Sequence, residues 1–184
     1  MSLILAWGQE NPNPLRFMQK PLIGDQVSID LFQLWDKKNS QAENPVVFVG
    51  SSSIRKWYTA EYFPDIPLVN RGFGGSHISD VLYFINETVL KFKPKVIVFY
   101  AGDNDIHIGK TSKKVFEDYV NFVYKVHEHL PDTKIIFIPI KPSPNRWYLW
   151  HEMEKTNHMV QRYSQNNYLL YYVDTASPML NDRG

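Results

Sequence analysis

The sequence predicts an α/β protein, a three-layer α/β/α sandwich around a five-stranded, mainly parallel, flavodoxin-like sheet. Three observations carry this expectation. Short runs rich in β-branched and aromatic residues recur without polar alternation, segments with helical periodicity separate them, and small polar residues close them. Such strands need cover on both faces, and helices crossing over between parallel strands supply it.

The elements follow in order. Residues 1–24 read as an irregular lead-in, because "ENPNPLRFMQKPLIGD" is rich in Pro and Asn. "SLILAWGQ" has a short apolar run before Ala6-Trp7-Gly8, small residues at signal-peptidase spacing, but no basic segment precedes it. It reads equally as the stub of an export signal, implying a secreted or periplasmic protein, or as an arm lying on the domain of a cytoplasmic one. The domain proper is expected over 25–184. A helix opens it: "VSIDLFQLWDKKNSQ" places Val27, Leu31, Leu34 and Trp35 at helical spacing, with Asp25 or Ser28 near its start. The five strands are expected at Pro45–Gly50, Pro67–Gly72, Lys95–Gly102, Lys134–Ile140 and Leu169–Asp174. Helical segments between them are "HISDVLYFINETVLKF", "SKKVFEDYVNFVYKVHEHL" and "WYLWHEMEKTNHMVQRYSQ".

Composition narrows the function. With 184 residues the chain fits one core, since separate domains usually need on the order of 100 residues each. A formal net charge of +1 supplies no field to concentrate phosphates, so nucleic acid is not an expected partner. The absence of cysteine removes disulfides, thiolate nucleophiles and thiolate metal sites. No histidine pair has the spacing and carboxylate company of a zinc site, no cofactor motif occurs, and no stretch has the apolar length of a transmembrane segment. Oligomeric state is not legible.

In such a fold ligands bind beyond the carboxyl ends of the strands, so the strand ends carry the chemistry. The first ends in Gly50-Ser51-Ser52-Ser53, either an ordinary cap or a serine exposed at a helix start whose N–H groups favour an oxyanion. The second ends in "NRGFGGSH", whose glycines either make a flexible turn or let backbone N–H groups approach a ligand. The third ends in "YAGDNDIHIG", too short of oxygen ligands for a calcium loop, where Asn104 can donate to developing negative charge. Each is a modest signal, but they close three consecutive strands of one sheet.

"VGSSS", "NRGFGGS" and "AGDND", in this order, resemble the first three sequence blocks of the SGNH hydrolases, the GDSL-like lipase/acylhydrolase family, in its bacterial lysophospholipase-like branch. The resemblance spans roughly Pro45 to Leu180. It implies a serine esterase in which Ser52 is the nucleophile, and in which Gly75 N–H, the Asn104 amide and Ser52 N–H form an oxyanion hole. Position 51, often Asp in the family, is Ser here. Ser51 and Ser53 are expected to shape and cap the turn. Ser51, His77, Asp105, His107 and Trp147 are candidate substrate contacts, His77 and His107 being expected as solvated residues beside the cleft. The rings of "KPSPNRWYLW" form either an aromatic wall for sugars and acyl chains or ordinary packing.

The family's general base is a histidine in a D-x-x-H block after the last strand, and these 184 residues reach "YYVDTASPMLNDRG" without one. Either a natural continuation holds the Asp and His, or the protein is a carbohydrate- or lipid-binding module on the same fold. The intact oxyanion blocks favour the first. The expected partner is then a small-molecule ester, an acylated glycan or lipid.

Overall fold

Five runs of apolar residues pair into one sheet, all parallel, in the order β2-β1-β3-β4-β5. The strands are β1 (Val46–Gly50), β2 (Leu68–Gly72), β3 (Val96–Tyr100), β4 (Lys134–Phe137) and β5 (Leu170–Tyr172). All five fall inside the ranges read from the sequence, each shortened at its ends. The computed structural model describes residues 11–18 and 28–180. The signal-like stretch at 2–9, Asp25 and Val27 lie outside the described residues.

Alternate residues of the strands point to opposite faces. Val47, Val49, Ile97, Phe99, Ile135 and Phe137 enter a large core with Phe32, Val81, Ile85, Val115, Tyr119, Phe122, Met153 and Val160. That core is closed by α1 (Ile29–Lys38), α4 (Ile78–Tyr83), α5 (Ile85–Thr88), α7 (Ser112–His129) and α8 (Trp150–Gln165). The other face is covered more thinly. There Phe48, Val98 and Tyr100 meet Ile54 of α2 (Ser52–Arg55), with Trp57 and Phe63 flanking α3 (Thr59–Tyr62). The two helical layers are therefore unequal among the described residues.

Two helices depart from the sequence expectation. In α1, capped by Ser28 whose hydroxyl accepts from Leu31 N–H at 3.3 Å, the buried stripe is Ile29 and Phe32. Leu34 and Trp35 are exposed, because the helix carries two apolar stripes and periodicity does not say which one faces the sheet. The run expected as one helix over 77–92 is broken at Phe84 and Val89 into α4, α5 and a 3-10 turn at Leu90–Phe92. Thr88 donates both its N–H and its hydroxyl to the Phe84 carbonyl, at 3.0 and 2.8 Å, so α5 starts on the residue at which α4 ends. No helix among the described residues is long and apolar enough to cross a membrane.

Candidate active site

The register sets the site. Gly50 stands level with Gly72 on one side and Tyr100 on the other, so three strand ends finish side by side where the chain switches direction across the sheet. Gly50 has φ +138°, and a Cβ there would sit 1.8 Å from the Tyr100 carbonyl oxygen. That same oxygen accepts from Ser51 N–H at 2.9 Å, while Gly50 accepts from Phe73 N–H at 2.9 Å. The chain is thus held to its neighbours one residue beyond each strand before Ser52 opens α2.

Two contacts hold α2 against β2. A Cβ on Gly72 would lie 2.2 Å from Arg55 N, so only glycine admits the helix this close. Asn70 then pins the far end: its Nδ2 donates to the Ile54 carbonyl at 2.8 Å and the Trp57 carbonyl at 3.1 Å, and its Oδ1 accepts from Gly72 N–H at 2.9 Å. Ser52 is left half-buried at the helix start, where backbone N–H groups lack intrahelical partners.

Hydrogen bonds join the next two blocks to it. Ser51 Oγ lies 3.4 Å from Asp103 Oδ1, and Asn104 Nδ2 donates to the Ser76 carbonyl at 3.1 Å, beside Gly75. Gly75 is exposed with φ +81°, and a Cβ there would meet nothing within 4 Å; conformation rather than space calls for glycine. Among the described residues, the N–H groups of Ser52 and Gly75, the second Nδ2 hydrogen of Asn104 and the Ser52 hydroxyl have no hydrogen-bond partner. Free donors thus occur on three chain segments that the Ser51–Asp103 and Asn104–Ser76 contacts tie together.

Ser51 departs from expectation. It is fully buried and occupies the cap position of α2, but its side chain makes no cap bond and turns to Asp103 instead. Asp103 also accepts from Arg146 Nη1 at 2.9 Å through Oδ2, and Arg146 Nη2 donates to Asn104 Oδ1 at 3.1 Å. Arg146 escaped the sequence reading because it sits in an irregular stretch, the 3-10 turn at Pro144–Leu149, amid more conspicuous aromatic residues. Beneath them the Tyr100 phenol is pushed up by burial and by the Asp103 charge.

Besides the buried Ser51, two more candidate substrate contacts lie in the interior. Asp105, in α6 (Asp103–His107), is fully buried. It accepts from Lys110 Nζ at 2.7 Å and from Ile78 N–H at 3.2 Å, anchoring the start of α4. Burial raises its carboxyl to about 6 against the pull of Lys110, whose ammonium also donates to Asp118 at 3.1 Å. His77 is 5% exposed, not solvated, with Nδ1 3.6 Å from Asp105. Burial first, then the charges of Lys110 and Arg16, lower it to about 3, so it is neutral near pH 7. Spacing shows that these residues neighbour the blocks; only packing shows that they face inward. His107 is exposed at the end of α6, and Trp147, 46% exposed, stacks on Trp150 at 6.2 Å. Among the described residues no group of three metal-ligating side chains occurs.

Ser52 at a helix start and donors without partners on the neighbouring segments lie at the carboxyl ends of a parallel sheet, where ligands bind in folds of this class. The profile of the GDSL-like Lipase/Acylhydrolase family matches residues 49–184, and the chain belongs to that family. Among solved structures, a GDSL-like lipase from Bacteroides thetaiotaomicron is similar with a TM-score of 0.73 and 19% identity, over 84% of this chain and 81% of that one. Axe2, an acetylxylan esterase from Geobacillus stearothermophilus, gives a TM-score of 0.59 at 13% identity, over 74% and 78%. These identities speak for the fold alone. No curated protein matches significantly.

Proposed function

We propose that the protein is a carboxylic ester hydrolase acting through an acyl-enzyme on Ser52. The observation that carries this reading is that Ser52 N–H, Gly75 N–H and one Asn104 Nδ2 hydrogen are free on segments tied together at neighbouring strand ends. Ser52 Oγ attacks the ester carbonyl carbon, and its proton passes to a base and on to the departing alcohol. The tetrahedral oxyanion is held by Ser52 N–H, Gly75 N–H and Asn104 Nδ2. Water then attacks the acyl-enzyme, releasing the acid and restoring the hydroxyl.

Serine needs a base at neutral pH. Among the described residues no histidine is hydrogen-bonded to the Ser52 hydroxyl. Asp174, just past β5, caps Ala176 and Ser177 N–H with Oδ1 at 3.1 and 3.0 Å. The reading takes the base from the D-x-x-H block that the family resemblance implies beyond that strand. Structures of a serine and a histidine variant of Axe2 are described as catalytic mutants. The substrate class is a carbohydrate O-acetyl, short acyl or lysophospholipid ester.

Intact-mass labelling with a fluorophosphonate, paired with p-nitrophenyl acetate hydrolysis, tests the reading. A single adduct lost in Ser52→Ala is expected, and Asn104→Ala should lower kcat by about 10²–10³. An adduct that persists in Ser52→Ala, or a full rate in Asn104→Ala, refutes the assignments. No adduct and no hydrolysis by the wild-type protein favours a carbohydrate- or lipid-binding module instead.

A further inference from the structure

The geometry points to Arg146 as a positioning residue that sets which way the Asn104 amide faces. Its effect on turnover rests on the ester-hydrolase reading above. An asparagine amide has an acceptor on one side and two donors on the other, and a half-turn about its last bond exchanges them. Only one of these orientations offers N–H to an oxyanion.

Two contacts select that orientation. Nδ2 faces the Ser76 carbonyl at 3.1 Å, and Oδ1 faces Arg146 Nη2 at 3.1 Å. A flipped amide would set oxygen against the Ser76 carbonyl and NH2 against a guanidinium, two donor–donor or acceptor–acceptor clashes in place of two bonds. Arg146 is the cationic member of the pair, and a bond to a charged donor is the stronger kind. By drawing electron density toward Oδ1 it also makes the free N–H a better donor.

Arg146 is itself fixed. Its other branch donates to Asp103 Oδ2 at 2.9 Å, and Asp103 Oδ1 lies 3.4 Å from the Ser51 hydroxyl, so the fork ties the segment after β4 to the ends of β3 and β1. The guanidinium is about a quarter exposed, and Asp103 compensates its charge. A planar fork reaches both acceptors at once, which an ammonium at the same place does not.

The test combines turnover with a signal that needs none. In a ¹H–¹⁵N spectrum the Asn104 side-chain pair is identified by its loss in Asn104→Ala. In Arg146→Ala that pair should shift, and its hydrogen exchange should quicken by about tenfold as one of its two holding bonds is lost. With p-nitrophenyl acetate, Arg146→Ala should lower kcat by about tenfold with KM nearly unchanged, because the loss falls on the transition state. In an Asn104→Ala background the same change should cost nothing further. Arg146→Lys, which keeps a charge beside Asp103, should fold yet still show the shifted pair and most of the kcat loss. An unmoved Asn104 pair in both Arg146 variants, or a kcat loss that repeats in the Asn104→Ala background, overturns the proposal. If Ser52→Ala hydrolyses as fast as the wild-type chain, the ester-hydrolase reading fails and the amide spectrum alone decides the orientation.

Discussion

Replacing Asn70 with alanine removes the clamp on the far end of α2. The amide makes three bonds, two to the carbonyls of Ile54 and Trp57 and one from Gly72 N–H. Trp57 N–H also donates to the Ile54 carbonyl at 3.0 Å, so that acceptor keeps a partner, and water reaches the half-buried site in part. At about 1 kcal/mol net per hydrogen bond, the loss is expected to be about 2–3 kcal/mol. For a chain of this length that corresponds to a melting temperature about 5–10 °C lower. Asn70→Asp should be worse than alanine, since it points a carboxylate oxygen at two carbonyls. Urea unfolding followed by tryptophan fluorescence reads both variants. A loss for Asn70→Ala within about 0.5 kcal/mol of zero, as at an ordinary surface position, would refute the clamp, as would an aspartate variant more stable than the alanine one.

Gly102→Ala combines a φ of +122° with a Cβ placed 2.6 Å from Ile140 Cδ1. It should lose more than about 2 kcal/mol on the same urea curve, and an unchanged midpoint would contradict the close packing there. His77 titrates near 3 in the folded protein but near its ordinary value of 6.5 when unfolded, so its stabilising contribution is complete above 6.5 and is lost as pH falls toward 3. Asp105, raised to about 6, acts in the opposite sense: its contribution is complete below the ordinary 3.8 and declines as pH rises toward 6. His77→Gln should therefore remove part of the acid-side loss, seen as a smaller fall in urea midpoint between pH 7 and pH 5. An identical fall in both proteins would mean that His77 titrates normally.

Much of the architecture was readable because it depends on local pattern. The five strands announce themselves as apolar runs, and parallel pairing follows from the helical segments between them. Less was readable wherever two patterns overlapped. Both stripes of α1 are apolar, and only contact with the sheet buries Ile29 and Phe32 while leaving Leu34 and Trp35 outside. The break at Phe84, where the backbone leaves helical geometry with ψ +26°, is one that periodicity does not record. Ser51 resembles a cap in sequence, yet its hydroxyl faces a carboxylate 52 residues away.

By itself the sequence determined the class of fold, the three blocks at the strand ends and the glycines that let the backbone turn there, because each is a property of residues close along the chain. Tertiary structure alone decided which polar residues near those blocks face the cleft. His77 and Asp105 stand beside them in sequence but are buried with Lys110, whereas Arg146, more than 40 residues from Asn104 along the chain, reaches its amide through space. Spacing specifies neighbours along the chain. Register and packing specify neighbours in space, and setting which way the Asn104 amide faces requires the second kind.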